Sequence, residues 1–243
     1  MNLSYLRYEL LRTFRSRRYF ILAVGFPLVI YYIVAGTNTN QHNFDNTGIS
    51  LPLYFMVGLA AFGAMSAVIA AGGRISADRS VGWTRQLRLT PLSTREYFRA
   101  KIVTAYAAAL GTIVLLSIAG MTLGVRLSVS EWLKMIGLML VGLIPFAVLG
   151  ILIGHLLTPD SVGPAVGGLT ALFAFLGGVW FSISGGFMGD VAESLPSYWL
   201  VQASHVSLNG HSWRALGWLV VAAWTLALVA LAVWAYKRDT GRA

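Results

Sequence analysis

Apolar residues in this chain arrive in long uncharged blocks rather than at alternating or amphipathic spacing. Stretches free of Asp, Glu, Lys and Arg lie at about residues 19–36, 50–73, 102–125, 135–157, 161–183 and 215–236. A bilayer core of ~30 Å is crossed by about 20 residues of helix, so each block predicts a transmembrane span. A seventh uncharged stretch, residues 194–213, carries Pro196, Gln202, His205, Asn209 and His211, which are costly in hydrocarbon. Its Tyr198, Trp199 and Trp213 suit the headgroup region, and it predicts short helices at the membrane surface. The first block has too long an apolar core for a cleaved signal peptide and is expected to stay as a span.

Two segments outside the blocks are patterned differently. Within residues 1–18, Leu3, Leu6, Leu10 and Phe14 recur at helical spacing, with Leu11 alongside. Arg7, Arg12, Arg15 and Arg18 flank that stripe, which predicts an amphipathic helix lying in the interface. The second segment is the loop 74–101. Residues 78–89 can form a short helix, which Thr90-Pro91 ends because the residue before proline is pushed out of the helical region. Ser93-Thr94-Arg95-Glu96 reads as a capping box that starts the next helix, running through Tyr97 and Phe98 into the third span. The loop mixes Val81, Trp83 and Leu87 with Arg79, Arg85 and Arg88. Trp83 needs either lipid or a groove on a partner, and aromatic and Arg residues are the commonest interface anchors.

Composition agrees with an integral membrane protein. Hydrophobic residues make up 57% of the 243 and charged residues 11%, against roughly 45–50% and about 25% in soluble domains. That excludes a water-soluble enzyme and a disordered chain. The absence of Cys removes disulfides and thiolate metal sites. The net charge of +9 is explained by topology. With six spans, fifteen of the eighteen Lys and Arg fall on the side that holds both termini and the 74–101 loop; Arg126, Lys134 and Arg214 fall on the other. The positive-inside rule then places both termini in the cytoplasm, and no nucleic-acid partner is needed.

No span has a carboxylate, Lys or Arg in its middle, which speaks against an ion-coupled secondary transporter. A P-loop is absent, since the three lysines follow Ala100, Leu133 and Tyr236 rather than Gly. A membrane enzyme or scaffold has no nucleophile–base or metal spacing behind it. His205 and His211, six apart, do not share a helical face, and no metal or catalytic residue is assigned. Pro27 and Pro145 are expected to kink their spans. The pairs Gly167-Gly168, Gly177-Gly178 and Gly185-Gly186 suit close helix packing or a break in a helix.

The run Asp78-Arg79-Ser80-Val81-Gly82-Trp83-Thr84-Arg85-Gln86-Leu87-Arg88-Leu89-Thr90-Pro91-Leu92-Ser93, placed after a second span and an amphipathic N-terminus, resembles the membrane subunit of ABC-2-type exporters. The family pattern is an acidic-Arg pair, a Gly three residues on, a Leu and then Thr-Pro-Leu, matched by Asp78-Arg79, Gly82, Leu87 and Thr90-Pro91-Leu92. Asp78 departs mildly from the usual Glu. The resemblance implies an all-α integral membrane fold, a single domain over 1–243. It has six transmembrane helices, a connecting helix at 1–18, a coupling helix after span two, and surface or re-entrant helices between spans five and six. It implies a permease paired with a second copy or a sister permease, and with a separate cytosolic ABC ATPase that holds ATP and Mg. Asp78, Arg79, Val81, Gly82, Trp83, Leu87, Thr90 and Pro91 would then couple the chain to that ATPase. The substrate would be a drug-like molecule, an antibiotic or a lipid.

Overall fold

The computed structural model describes residues 3–17, 20–82, 93–183, 185–209 and 212–240, and among them every regular element is helical. Helix α1 is Leu3–Phe14, and a π-helical segment, Phe20–Gly25, leads into α2, Phe26–Gly36. Then come α3 (Leu51–Ser80), α4 (Thr94–Thr122), α5 (Val129–Gly142), α6 (Ile144–Leu156) and α7 (Pro159–Leu176). The short helices α8 (Gly186–Glu193), α9 (Pro196–Gln202) and α10 (Val206–Asn209) precede α11 (Ala215–Thr240).

Among the described residues, four stretches are long and apolar enough to cross a membrane: Leu51–Ser80, Arg95–Thr122, Val129–Leu156 and Ala215–Arg238. The block at 135–157 is one such stretch bent at Leu143, between α5 and α6. Pro145 lies in the first turn of α6, where its missing N–H has no partner to lose. The expected kink at Pro145 is therefore present. Around Pro27 the break falls earlier: the wider π segment ends at Gly25, and Pro27 sits harmlessly in the first turn of α2. The block at 161–183 is helical only to Leu176. Gly177 caps the helix, and Gly178 at φ 77° turns the chain away.

Helix α3 is the axis of the bundle. Of its most apolar 18-residue window, 83% is buried, and α2, α4, α6 and α7 all pack on it. The corresponding figure for α11 is 17%, and α11 leans mainly on α6. Close approach to α3 is made possible by glycine. A Cβ on Gly72 would land on the Gly150 carbonyl, one on Gly150 would lie 2.7 Å from the Val68 carbonyl oxygen, and one on Gly154 2.7 Å from that of Gly72. The backbones of α3 and α6 are thus in direct contact. Gly167 and Gly168, in contrast, face open space within this chain.

The stretch 194–213 forms the expected short helices, and their apolar residues pack into the bundle. Trp199 is 2% exposed, and Leu200, Val201, Ala203 and Trp213 are also buried. Small residues make the room: a Cβ on Gly217 would strike the Trp199 ring, and one on Gly142 would come within 2.6 Å of Leu200. The Trp199 indole is not left unpaired, since Nε1 donates to the Glu193 carbonyl at 2.9 Å.

Candidate functional site

The two ends of α3 differ in chemistry. Asp78 lies 24 residues beyond Tyr54 in the same helix, roughly 36 Å, close to the thickness of a membrane. At the Tyr54 end, its hydroxyl donates to the carbonyls of Gly178 and Phe181, and Ser182 N donates to Asp45 Oδ2 at 3.3 Å. Arg214 pairs there with Glu193 at 2.7 Å, largely in the open. Burial lowers the pKa of His205 at this end, which keeps its imidazole neutral near pH 7.

At the Asp78 end a cluster of charges is buried. Three elements build it. Helix α1 supplies Glu9, the last turns of α3 supply Arg74 and Asp78, and the first turns of α4 supply Lys101. Lys101 Nζ donates to Glu9 Oε1 at 2.8 Å and lies 2.7 Å from Asp78 Oδ2. The side chains of Lys101, Glu9 and Asp78 are 1%, 2% and 6% exposed. Tyr97, one turn before Lys101, donates to Asp78 Oδ2 at 3.0 Å, and Tyr5 donates to Glu9 Oε1 at 3.2 Å. Arg12 Nη1 reaches Asp78 Oδ1 at 3.4 Å from a half-exposed position. Burial first, then the charges of Glu9 and Asp78, push the Tyr5 phenol far above its ordinary range, so it remains a donor. Two carboxylates against Lys101 and Arg74 leave the buried part neutral, the condition under which charges tolerate burial.

The local sequence explains why these groups meet. Tyr5, Glu9 and Thr13 are four apart in α1 and share one face; Thr13 returns its hydroxyl to the Glu9 carbonyl at 2.9 Å. Ser93 and Glu96 form the expected capping box, with Glu96 N donating to Ser93 Oγ at 3.3 Å and Ser93 N donating to Glu96 Oε2 at 3.2 Å. That cap fixes the start of α4, and with it the placement of Tyr97 and Lys101.

The residues assigned to ATPase coupling divide three ways. Asp78 and Arg79 turn inward: Asp78 joins the cluster, and Arg79 Nη1 donates to the Gly154 carbonyl at 2.9 Å. No separate helix starts at Asp78, because α3 runs through to Ser80 and turns at Val81-Gly82. Val81 is 71% exposed. Gly82 has φ 69° and empty space where a Cβ would be, so it is required for its left-handed backbone rather than for close contact within this chain. Trp83, Leu87, Thr90 and Pro91 lie outside the described residues, as does Arg18 of the interfacial set. Arg7, Arg12 and Arg15 are exposed on α1, beside the exposed Leu3, Leu11 and Phe14. Sequence reading missed Glu9 and Lys101. The available signal was Glu9 as the lone acid among five arginines, and Lys101 as the lone lysine opening an apolar run.

In the sequence, the elements that carry Asp78 and Lys101 lie on either side of residues 83–92, where the exporter-like motif continues. Comparison with known proteins bears on the same stretch. The chain is 28% identical over 195 residues to "Putative transport permease YvfS" of Bacillus subtilis (strain 168), covering 78% of each protein. A family model described as "ABC-2 type transporter" matches residues 3–209, from α1 through α10. With most of its length matched, including both arms of the ion cluster, the chain belongs to the ABC-2 type transporter family.

Proposed function

We propose that the chain is the permease subunit of an ATP-driven exporter. It moves a drug-like, antibiotic or lipid substrate outward, using ATP hydrolysed by a separate cytosolic ABC ATPase. It works as a pair of permeases, with a second copy or a sister chain, on two ATPase subunits. The protein crosses the bacterial inner membrane six times with both termini in the cytoplasm. In this topology α2 with its π segment is the first span and α7 the fifth. Residues 78–91 form the coupling element, with Trp83 and Leu87 as its apolar anchors.

The observation that carries this reading is the convergence of α1, the end of α3 and the start of α4 on one cluster, flanking the motif-bearing segment on both sides. A force applied to that segment reaches the amphipathic helix and two spans at once. Family membership supports the ATPase as the source of force.

The test is co-expression with the ABC ATPase of a neighbouring reading frame. The wild-type pair should co-purify. Trp83→Ala or Leu87→Ala should weaken the association about 30-fold, the equivalent of roughly 2 kcal/mol for a buried anchor. A periplasm-dependent reporter fused after Ala243 should stay silent. A purified chain that moves substrate on a proton gradient without an ATPase would establish the secondary-transporter reading instead.

A further inference from the structure

The ion cluster is not saturated. Glu9 Oε1 serves Lys101 and Tyr5, but Glu9 Oε2 is buried with no hydrogen-bond partner among the described residues. Arg74 Nε and Nη2 are buried in the same condition. These are opposite charges, and the carboxylates of Glu9 and Asp78 lie close enough to act electrostatically on the Arg74 guanidinium. Buried charged atoms without hydrogen bonds are costly and uncommon in native structures. Here the missing donor and the missing acceptor occupy one cluster. Arg74 is one turn before Asp78 on α3, hence on the same face. Glu9 belongs to α1, which packs chiefly on α4.

We propose that Arg74 is a positioning residue, and that Glu9 passes from Lys101 to Arg74 when α1 shifts against α3. The cluster then has two pairings, and this structure holds the first. In the second, Lys101 keeps Asp78, while Glu9 and Arg74 satisfy the atoms that are unpaired in the first. The total number of buried charges is unchanged, so the exchange needs no ion to enter or leave. The inference rests on the permease reading for the force that drives the exchange, but not for the exchange itself.

The chain has no cysteine, so Leu11→Cys and Arg95→Cys, both at exposed positions, give a clean pair of spin-label sites on α1 and α4. In the chain alone, in nanodiscs, Lys101→Met should release Glu9 to Arg74 and lengthen the α1–α4 distance. Adding Arg74→Gln should abolish that second distance. In the complex with the ATPase, Arg74→Gln should leave ATPase recovery at the wild-type value and lower the unfolding temperature only through the lost positive charge, which Arg74→Lys should restore, since neither variant removes a hydrogen bond of the described pairing. It should lower kcat for ATP about tenfold or more at unchanged KM, the weight of one charge-assisted hydrogen bond in the cycle, and Arg74→Lys should restore most of it. Arg74→Gln measured alone keeps the test open if Lys101→Met does not fold.

Two results would overturn the exchange. One is a fall in unfolding temperature that persists in Arg74→Lys, which would mean that a fixed water or a static contact already ties the guanidinium to the cluster. The other is an unchanged kcat together with an unchanged distance. If the distances behave as expected but the wild-type chain recovers no ATPase, the permease reading falls and the two pairings stand.

Discussion

Lys101→Met should destabilise the folded chain by about 3–5 kcal/mol, the range for removing one partner of a buried ion pair. The size follows from what remains. Glu9 and Asp78 share the Lys101 ammonium at 2.8 and 2.7 Å, and neither has more than a few per cent of its side chain in solvent. Without the ammonium, two buried carboxylates are left against the single buried charge of Arg74, so one of them stays uncompensated. The same principle predicts the remedy. Combining Lys101→Met with Glu9→Gln removes one cation and one anion together, leaves Asp78 against Arg74, and should recover much of the loss, because the desolvation cost disappears with the attraction. Equilibrium unfolding in mixed micelles measures both. The exposed pair at the opposite end is the control: Arg214→Ala breaks a 2.7 Å contact to Glu193 but should cost under about 1 kcal/mol, since solvent screens it. Equal losses for Lys101→Met and Arg214→Ala would contradict the account of the cluster.

Gly72→Val should be at least as damaging, through sterics alone. The first atom of any side chain at position 72 lands on the Gly150 carbonyl, with Gly154 N only 3.2 Å away. No flexible side chain is available to move, so α3 and α6 must separate. Overpacking typically costs about 1–3 kcal/mol where a side chain can adjust, and here the obstacle is backbone. Separation also opens the contacts of Gly150 and Gly154 along the same seam, so loss of folded yield is the expected outcome. Gly167→Ala reverses the sign. No atom of this chain lies within 4 Å of its Cβ position, and replacing a helical glycine gains about 0.5–1 kcal/mol. The pair of variants tests whether the observed seam, rather than glycine content, sets the packing.

How much of this was legible in the sequence depends on the range of the interaction. The capping box at Ser93 and Glu96, the bend at Pro145 and the amphipathic α1 are local, and each was readable from neighbouring residues. The end of α7 at Leu176 was overestimated, because an uncharged run shows where a helix is tolerated and not where Gly177-Gly178 turns the chain. The burial of Trp199 was misread for a different reason. An indole suits the interface by default, and only the missing side chain of Gly217, eighteen positions on, makes an interior place for it. The cluster was the least legible. Glu9 and Lys101 are 92 residues apart, and nothing at either position names the other.

The same separation sets an order of events during synthesis. Glu9 leaves the ribosome 92 residues ahead of its cation, an interval of about 5–18 s at ordinary rates of elongation. Throughout that interval α1 has no docking site, and its carboxylate has no buried partner. Exposed Leu3, Leu11 and Phe14, with the arginines beside them, give the waiting helix a berth on the membrane. The exposed apolar face therefore has a use before the bundle forms, as a surface that lipid can cover until Lys101 offers Glu9 a buried counter-ion.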